Sequence, residues 1–276
     1  MAFQADTHIH SEYSHDSDCP VSAIYEAAVE KGMDLVCITD HCDLYANQDH
    51  QQVLQSRKQI VEGIRKDIAG YDGLQILIGV ELGGGFIDPV LAQAVVDLQC
   101  FDVVIGSAHG IMFRGERKST GKFDFGAVDD AAMLEYLGGY MDAVVYIAEK
   151  LDVDVLAHVT YILRYINGKY RKNLDWRSQE EKLRRIFRAI IQRGIALEIN
   201  TSCVGSFYDE WLPNKELIDL YLEMGGRLFT LGSDAHKAQK IGLGFGEVTD
   251  YLRSRGVTQL VYYKNRQPQF YSIAEG

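Results

Sequence analysis

The chain has 276 residues, 47% of them hydrophobic and 24% charged, a balance that excludes a disordered, collagen-like or coiled-coil protein. Twenty-eight Lys and Arg against 39 Asp and Glu leave a formal charge of −11, which repels a phosphate backbone and disfavours nucleic acid as a partner. No apolar run approaches the roughly 20 residues needed to span a bilayer, and residues 1–20 are polar and His-rich, so a cytoplasmic protein without a membrane segment is expected. The five cysteines (Cys19, Cys37, Cys42, Cys100, Cys203) fit no C-x-x-C spacing, which points to reduced thiols rather than disulfides or a zinc-thiolate knuckle. Four prolines and no linker-like stretch suggest one domain over residues 1–276.

In chain order, an apolar run at 3–10 predicts a strand, and Pro20 opens a helix over 21–31 that Gly32 can cap. Strands at 35–41, 74–82, 101–109, 153–158, 195–200 and 228–236 then alternate with helices at 51–69, 89–98, 129–150, 178–193 and 214–224. Gly194 and Gly225 follow helices where a left-handed cap belongs. Seven strands separated by helices make an α/β protein built from βα units around a parallel sheet.

Six of the eight histidines end one of these strands: His8 and His10, His41, His109, His158 and His236. Asp40, Glu81, Asp234 and Asn200 stand at the same level. In a parallel barrel these ends share one face, where barrel enzymes build their sites. So many imidazoles and carboxylates in one mouth would repel and compete, whereas divalent Zn, Mn or Fe would satisfy them together.

Side chains alternate along a strand, so His8 and His10 point the same way and can chelate one ion. Barrel neighbourhood adds Glu81 and Asp234 to that ion, lets Glu81 bridge to a second held by His109 and His158, and leaves Asp16, His41 and His236 for a third. Ions about 3.5 to 4 Å apart suit phosphate-ester hydrolysis. The chain carries no G-x-x-x-x-G-K-[ST], no G-x-S-x-G and no dinucleotide fingerprint after a strand. Gly83-Gly84-Gly85 reads as a tight loop.

The ordered set Asp6-Thr7-His8-Ile9-His10, Thr39-Asp40-His41, Gly79-Val80-Glu81, Gly106-Ser107-Ala108-His109, Ala157-His158, Glu198-Ile199-Asn200 and Gly232-Ser233-Asp234-Ala235-His236 resembles the polymerase and histidinol phosphatase (PHP) superfamily. The resemblance runs over nearly the whole chain. It implies a distorted, TIM-like (β/α)7 barrel with a trinuclear metal site. The segments 161–165, 233–237 and 264–268 resemble the histidinol-phosphate phosphatase branch, which implies hydrolysis of the phosphate ester of an amino alcohol in histidine biosynthesis. The chain departs from the family pattern at Asp16, where many members have His while here His15 lies one residue earlier, and in the basic loop 114–122 after His109.

A small phosphorylated substrate brings close to two negative charges, and metals neutralise only the oxygens facing them. Arg164, six residues past His158, is the first candidate for the remaining oxygens, with Arg117 of the basic loop next and Asn200 as a further substrate contact. Glu81, Asp234, His236 and Arg164 are the expected catalytic groups, and Asp40 is expected to orient His41. His50 reads as a surface residue, and the Arg-rich helix at 178–193 as an outer face over a core stripe. Two other readings are a PHP-type phosphoesterase acting on nucleotides, nucleic-acid ends or another small phosphate ester, and a noncatalytic module in which metals serve folding alone.

Overall fold

A computed structural model describes residues 3–274. Its strands are β1 (Ala5–Ile9), β2 (Leu35–Ile38), β3 (His41–Asp43), β4 (Gln75–Ile78), β5 (Val80–Gly83), β6 (Val104–Ser107), β7 (Gly110–Phe113), β8 (Glu116–Ser119), β9 (Val155–Leu156), β10 (Ala196–Asn200), β11 (Phe229–Gly232), β12 (Gln259–Lys264) and β13 (Gln267–Ser272). The helices are α1 (Val21–Glu30), α2 (His50–Asp67), α3 (Pro89–Val96), α4 (Asp130–Lys150), α5 (Tyr161–Leu163, continued as a π-turn over Arg164–Lys169), α6 (Glu180–Arg193), α7 (Lys215–Glu223) and α8 (Phe245–Ser254).

All seven sequence-predicted strands form, although the second and third are each broken in two. β1 pairs in parallel with β2, and β2 with β4. Past the breaks at Thr39-Asp40 and Gly79, the order continues β3-β5-β6-β9-β10-β11. β11 returns to β1 through a parallel bridge between Ile9 and Ala235, and His10 N–H donates to the Ala235 carbonyl at 3.0 Å. The circuit closes into the distorted (β/α)7 barrel that the resemblance implied. Closure leaves no sheet edge between β11 and β1, and every strand end meets the same mouth.

The strands are buried on both faces, which explains their nearly continuous apolar runs. Helices cover the outside: α6 buries Leu183, Ile186, Phe187, Ala189 and Ile190 while its arginines face outward, as its periodicity requires. Asp49, Asp88, Asp129 and Asn214 cap α2, α3, α4 and α7 by accepting from backbone N–H groups of the first turn. No helix among the described residues is long and apolar enough to cross a membrane. The five cysteines are free.

Two hairpins and α8 go beyond the predicted elements. β7 and β8 meet in a two-residue turn in which Arg114 and Gly115 both have positive φ (50° and 84°). Asn265 and Arg266 do the same between β12 and β13, at 50° and 62°. Two positive φ values make the turn whose twist matches that of the flanking strands. The basic loop 114–122 is therefore ordered largely as a hairpin.

Candidate active site

Glu81 lies at the centre of the mouth. The parallel register pairs it with His41 on the adjacent strand, and its carboxylate divides the surrounding imidazoles into two groups. Oε1 faces Nε2 of His109 at 3.0 Å and Nε2 of His158 at 2.8 Å. Oε2 faces Nε2 of His8 at 3.4 Å, Nε2 of His10 at 3.5 Å and Nδ1 of His41 at 2.8 Å. Asp234 Oδ1 approaches Nε2 of His10 at 3.2 Å and of His8 at 3.8 Å. Asp16 Oδ2 lies 3.3 Å from His41 Nε2 and 3.2 Å from His236 Nε2. All nine predicted metal ligands thus converge on one mouth.

The donor set fits divalent cations better than it fits hydrogen bonding. His41 Nδ1 and Glu81 Oε2 are buried and 2.8 Å apart, yet neither makes a correctly directed hydrogen bond. His8 and His10 turn their Nε2 atoms toward each other at 3.1 Å. Glu198 accepts from His8 Nδ1 at 2.6 Å, which holds a proton on Nδ1 and leaves Nε2 as the nitrogen a metal would take. His10 Nδ1 is likewise engaged, by Ser14 Oγ at 3.0 Å. Lone pairs aimed at one another in a dry site call for a positive centre between them.

The electrostatics carry the same signature. Burial pushes the Glu81 carboxyl up, but His109, His41 and His8 outweigh it and hold it well below the usual carboxylate range. Burial drives His10 down to about 3. For His41 the burial effect is overcome by Glu81 and Asp16, and it rises to about 10. Adjacent imidazoles driven in opposite directions mark a site that protons alone serve poorly.

The backbone at the mouth is unusual as well. Asp234 has φ 52° and His158 φ 23°, left-handed values that L side chains rarely adopt. Asp234 is held there by its N–H donating to the His8 carbonyl at 2.8 Å, and His158 by its N–H donating to Glu198 Oε2 at 2.8 Å. Gly232 allows this packing, since a Cβ there would lie 2.7 Å from His8 Cβ and closer still to Glu198.

A cavity of about 810 Å³ opens above the cluster, lined among others by Asp16, His41, His109, Asp234 and His236. Arg164 and Arg117 also line it, and each has a buried Nε without a partner. His15 reaches the rim but is exposed, its ring centroid 5.2 Å from that of His41, whereas Asp16 bonds both outer imidazoles. Tyr161 and Tyr165, their hydroxyls 2.8 Å apart, complete one wall.

Two expectations are corrected. Asn200 is fully buried and does not line the cavity: its Nδ2 donates to Glu198 at 3.1 Å and Asp234 at 3.4 Å, and its Oδ1 accepts from Ser202 N–H and Oγ–H. It holds carboxylates in place, with its backbone paired to Leu212. Asp40 does not hydrogen-bond His41: both its oxygens accept from Ser11, through the backbone N–H and the hydroxyl, at 2.6 Å each. It ties down the loop after β1. His50 is half-exposed and pairs with Asp88 at 2.8 Å, joining the starts of α2 and α3.

The sequence reading gave no role to Glu198 and Asp43. Glu198 holds His8 and His158 together, and Asp43 accepts from His109 Nδ1 at 3.1 Å. Each stands two positions along a strand from a group already singled out, Glu198 from Asn200 and Asp43 from His41, so period-two alternation was the available signal.

Residues 6–202 match the family model of the PHP domain. A histidinol-phosphatase of Lactococcus lactis is 28% identical over 261 residues, covering 94% of this chain and 93% of the relative. A probable histidinol-phosphatase of Thermotoga maritima is 25% identical over 251 residues, covering 90% and 91%. Among solved structures, histidinol phosphate phosphatase from Lactococcus lactis complexed with zinc, L-histidinol and phosphate aligns with TM-score 0.71 at 21% identity, over 96% of this chain and 98% of that one. A barrel with this crowded mouth of imidazoles and carboxylates has groups of side chains that could hold metal ions. The chain belongs to the PHP family.

Proposed function

We propose that this protein is a metal-dependent phosphomonoesterase that hydrolyses L-histidinol phosphate to histidinol and phosphate, working in the cytoplasm as one domain over residues 1–276. The observation that carries the reading is the Glu81 carboxylate, each oxygen of which meets a separate group of imidazoles. The relatives named histidinol-phosphatase support the choice of substrate.

His8, His10, Glu81 and Asp234 would hold one divalent ion, Glu81, His109 and His158 a second, and Asp16, His41 and His236 a third, with Zn, Mn and Fe all compatible with these donors. Bound ions would supply Lewis-acid polarisation of the phosphoryl oxygens and an activated water. The protein's own groups do the rest. Glu198 and Asp43 fix the tautomers of His8 and His109 so that both present Nε2 lone pairs to the mouth. Arg164, its Nε buried and without a partner, would bind the phosphoryl oxygens turned away from the metals. Tyr161 and Tyr165 would flank the alcohol end and exclude water from one side.

The test is phosphate release from L-histidinol phosphate by protein loaded with zinc, manganese or iron, beside nucleoside monophosphates and a short oligonucleotide. Turnover of histidinol phosphate above the others is expected. Absence of release from every monoester under saturating metal would refute the reading, and preference for the oligonucleotide would redirect it to nucleic-acid ends.

A further inference from the structure

The metal chemistry explains one end of the cavity and leaves the other unexplained. Arg117, Lys122, Lys237 and Lys240 all line the cavity, and none forms an ion pair among the described residues. The carboxylates lining it are all engaged: Asp16 with His41 and His236, Asp43 with His109, and Asp234 with His10. No lining carboxylate is free to meet a cationic group, in a chain whose net charge is −11.

Arg117 is the best-placed of these cations. Along the β7–β8 hairpin, alternation turns Arg117 and Ser119 toward the cavity, while Glu116 and Lys118 pair with each other at 2.5 Å outside and Arg114 pairs with Glu135. The hairpin is anchored. Phe113, Phe123, Phe125 and Tyr136 pack beneath it with ring centroids 4.4 to 5.5 Å apart, and Tyr136 donates its hydroxyl to the Lys118 carbonyl at 3.0 Å. Above that base the Arg117 guanidinium stacks on Tyr45 at 4.0 Å, with its buried Nε lacking a partner. A guanidinium held by stacking, with donors unsatisfied, is prepared for a planar or tetrahedral anion.

We propose that Arg117, with Lys122 lining the same cavity, forms a second anion subsite, and that the protein acts on small phosphomonoesters carrying a further anionic group, phosphate or carboxylate, at the end remote from the scissile phosphate. The inference rests on the phosphomonoesterase reading for the first phosphate and extends it to a class of substrate beyond amino-alcohol phosphates.

The test uses short alkyl phosphonates, which cannot be cleaved, ending in methyl, carboxylate or a second phosphonate, titrated calorimetrically into the zinc-loaded protein. The doubly anionic ligands should bind about tenfold or more tighter than the methyl-ended one, the size of one charge-assisted contact. That preference should collapse toward none in R117A, and equally in R117Q, which retains a side chain to lie on Tyr45 but no charge. The difference between the phosphonate and carboxylate arms identifies the preferred anion. Equal binding of all three by the wild type, or a preference that persists in both variants, would overturn the subsite. Phosphate release from L-histidinol phosphate is measured separately, so failure of the phosphatase reading registers there while the binding series still reads the subsite.

Discussion

Glu198→Gln tests whether the interior carboxylate sets the metal-binding form of His8. Glu198 accepts from His8 Nδ1 at 2.6 Å through one oxygen, and from His158 N–H at 2.8 Å and Asn200 Nδ2 at 3.1 Å through the other. Glutamine is nearly isosteric but has one acceptor. If its amide nitrogen takes the place facing His158 and Asn200, two donors meet donors. If it faces His8, it donates to Nδ1, and the proton moves to Nε2, where it blocks the lone pair needed for metal. The second arrangement is the cheaper one, and it exchanges a charge-assisted bond of about 1.5 to 3 kcal/mol for a ring in the wrong tautomer. Metal affinity should therefore fall by about 10- to 100-fold. Dialysis against graded chelator followed by elemental analysis reads this directly, and phosphate release should fall in parallel at limiting metal. Wild-type metal retention by E198Q, with only a lower melting temperature, would refute the reasoning.

Asp16→Ala should remove one equivalent of bound metal because Asp16 Oδ2 lies between His41 and His236, whereas His15→Ala should leave metal content unchanged; elemental analysis of both variants decides between the two residues. Arg164→Ala should lower kcat/KM for a phosphomonoester by about 10- to 100-fold, the cost of one charged contact to phosphate, with bound metal unaffected. In metal-free protein His41 lies at about 10 when folded, above the unfolded value of about 6.5. Its stabilisation is thus complete below about pH 6.5 and lost as pH rises through about 10, so the melting temperature of chelator-treated protein should decline across that window. Adding zinc to the same protein at pH 7 in weak buffer should release on the order of one proton from this ring, and an unchanged pH would contradict the proposed ligand role.

The mouth was legible in the sequence because, Asp16 aside, each His or acid ends a run of strand-forming residues, and strand ends of a parallel barrel share a face whatever the details of packing. His8 and His10 could be set side by side from alternation alone, since that is a property of one strand. The hairpin at 110–119 was not, because Arg114 at a positive-φ turn position carries a weaker signal than the Asn-Gly or Asp-Gly that usually marks such turns. Asn200 and Asp40 were misread for a different reason: both are polar residues at strand ends, and only the neighbouring elements determine whether such a residue faces the mouth or the interior.

By itself, then, the sequence determined the alternation of strands and helices, the strand-end histidines and acids, and the expectation that they bind cations, because these follow from local periodicity and side-chain chemistry. Only the tertiary structure decided which oxygen of Glu81 meets which imidazole, that Glu198 secures His8 and His158 from beneath, and that Arg117 rather than Lys118 turns inward. Those outcomes depend on strand register, barrel closure and the packing of α4 under the β7–β8 hairpin, where residues far apart in the chain meet and no single segment carries the information.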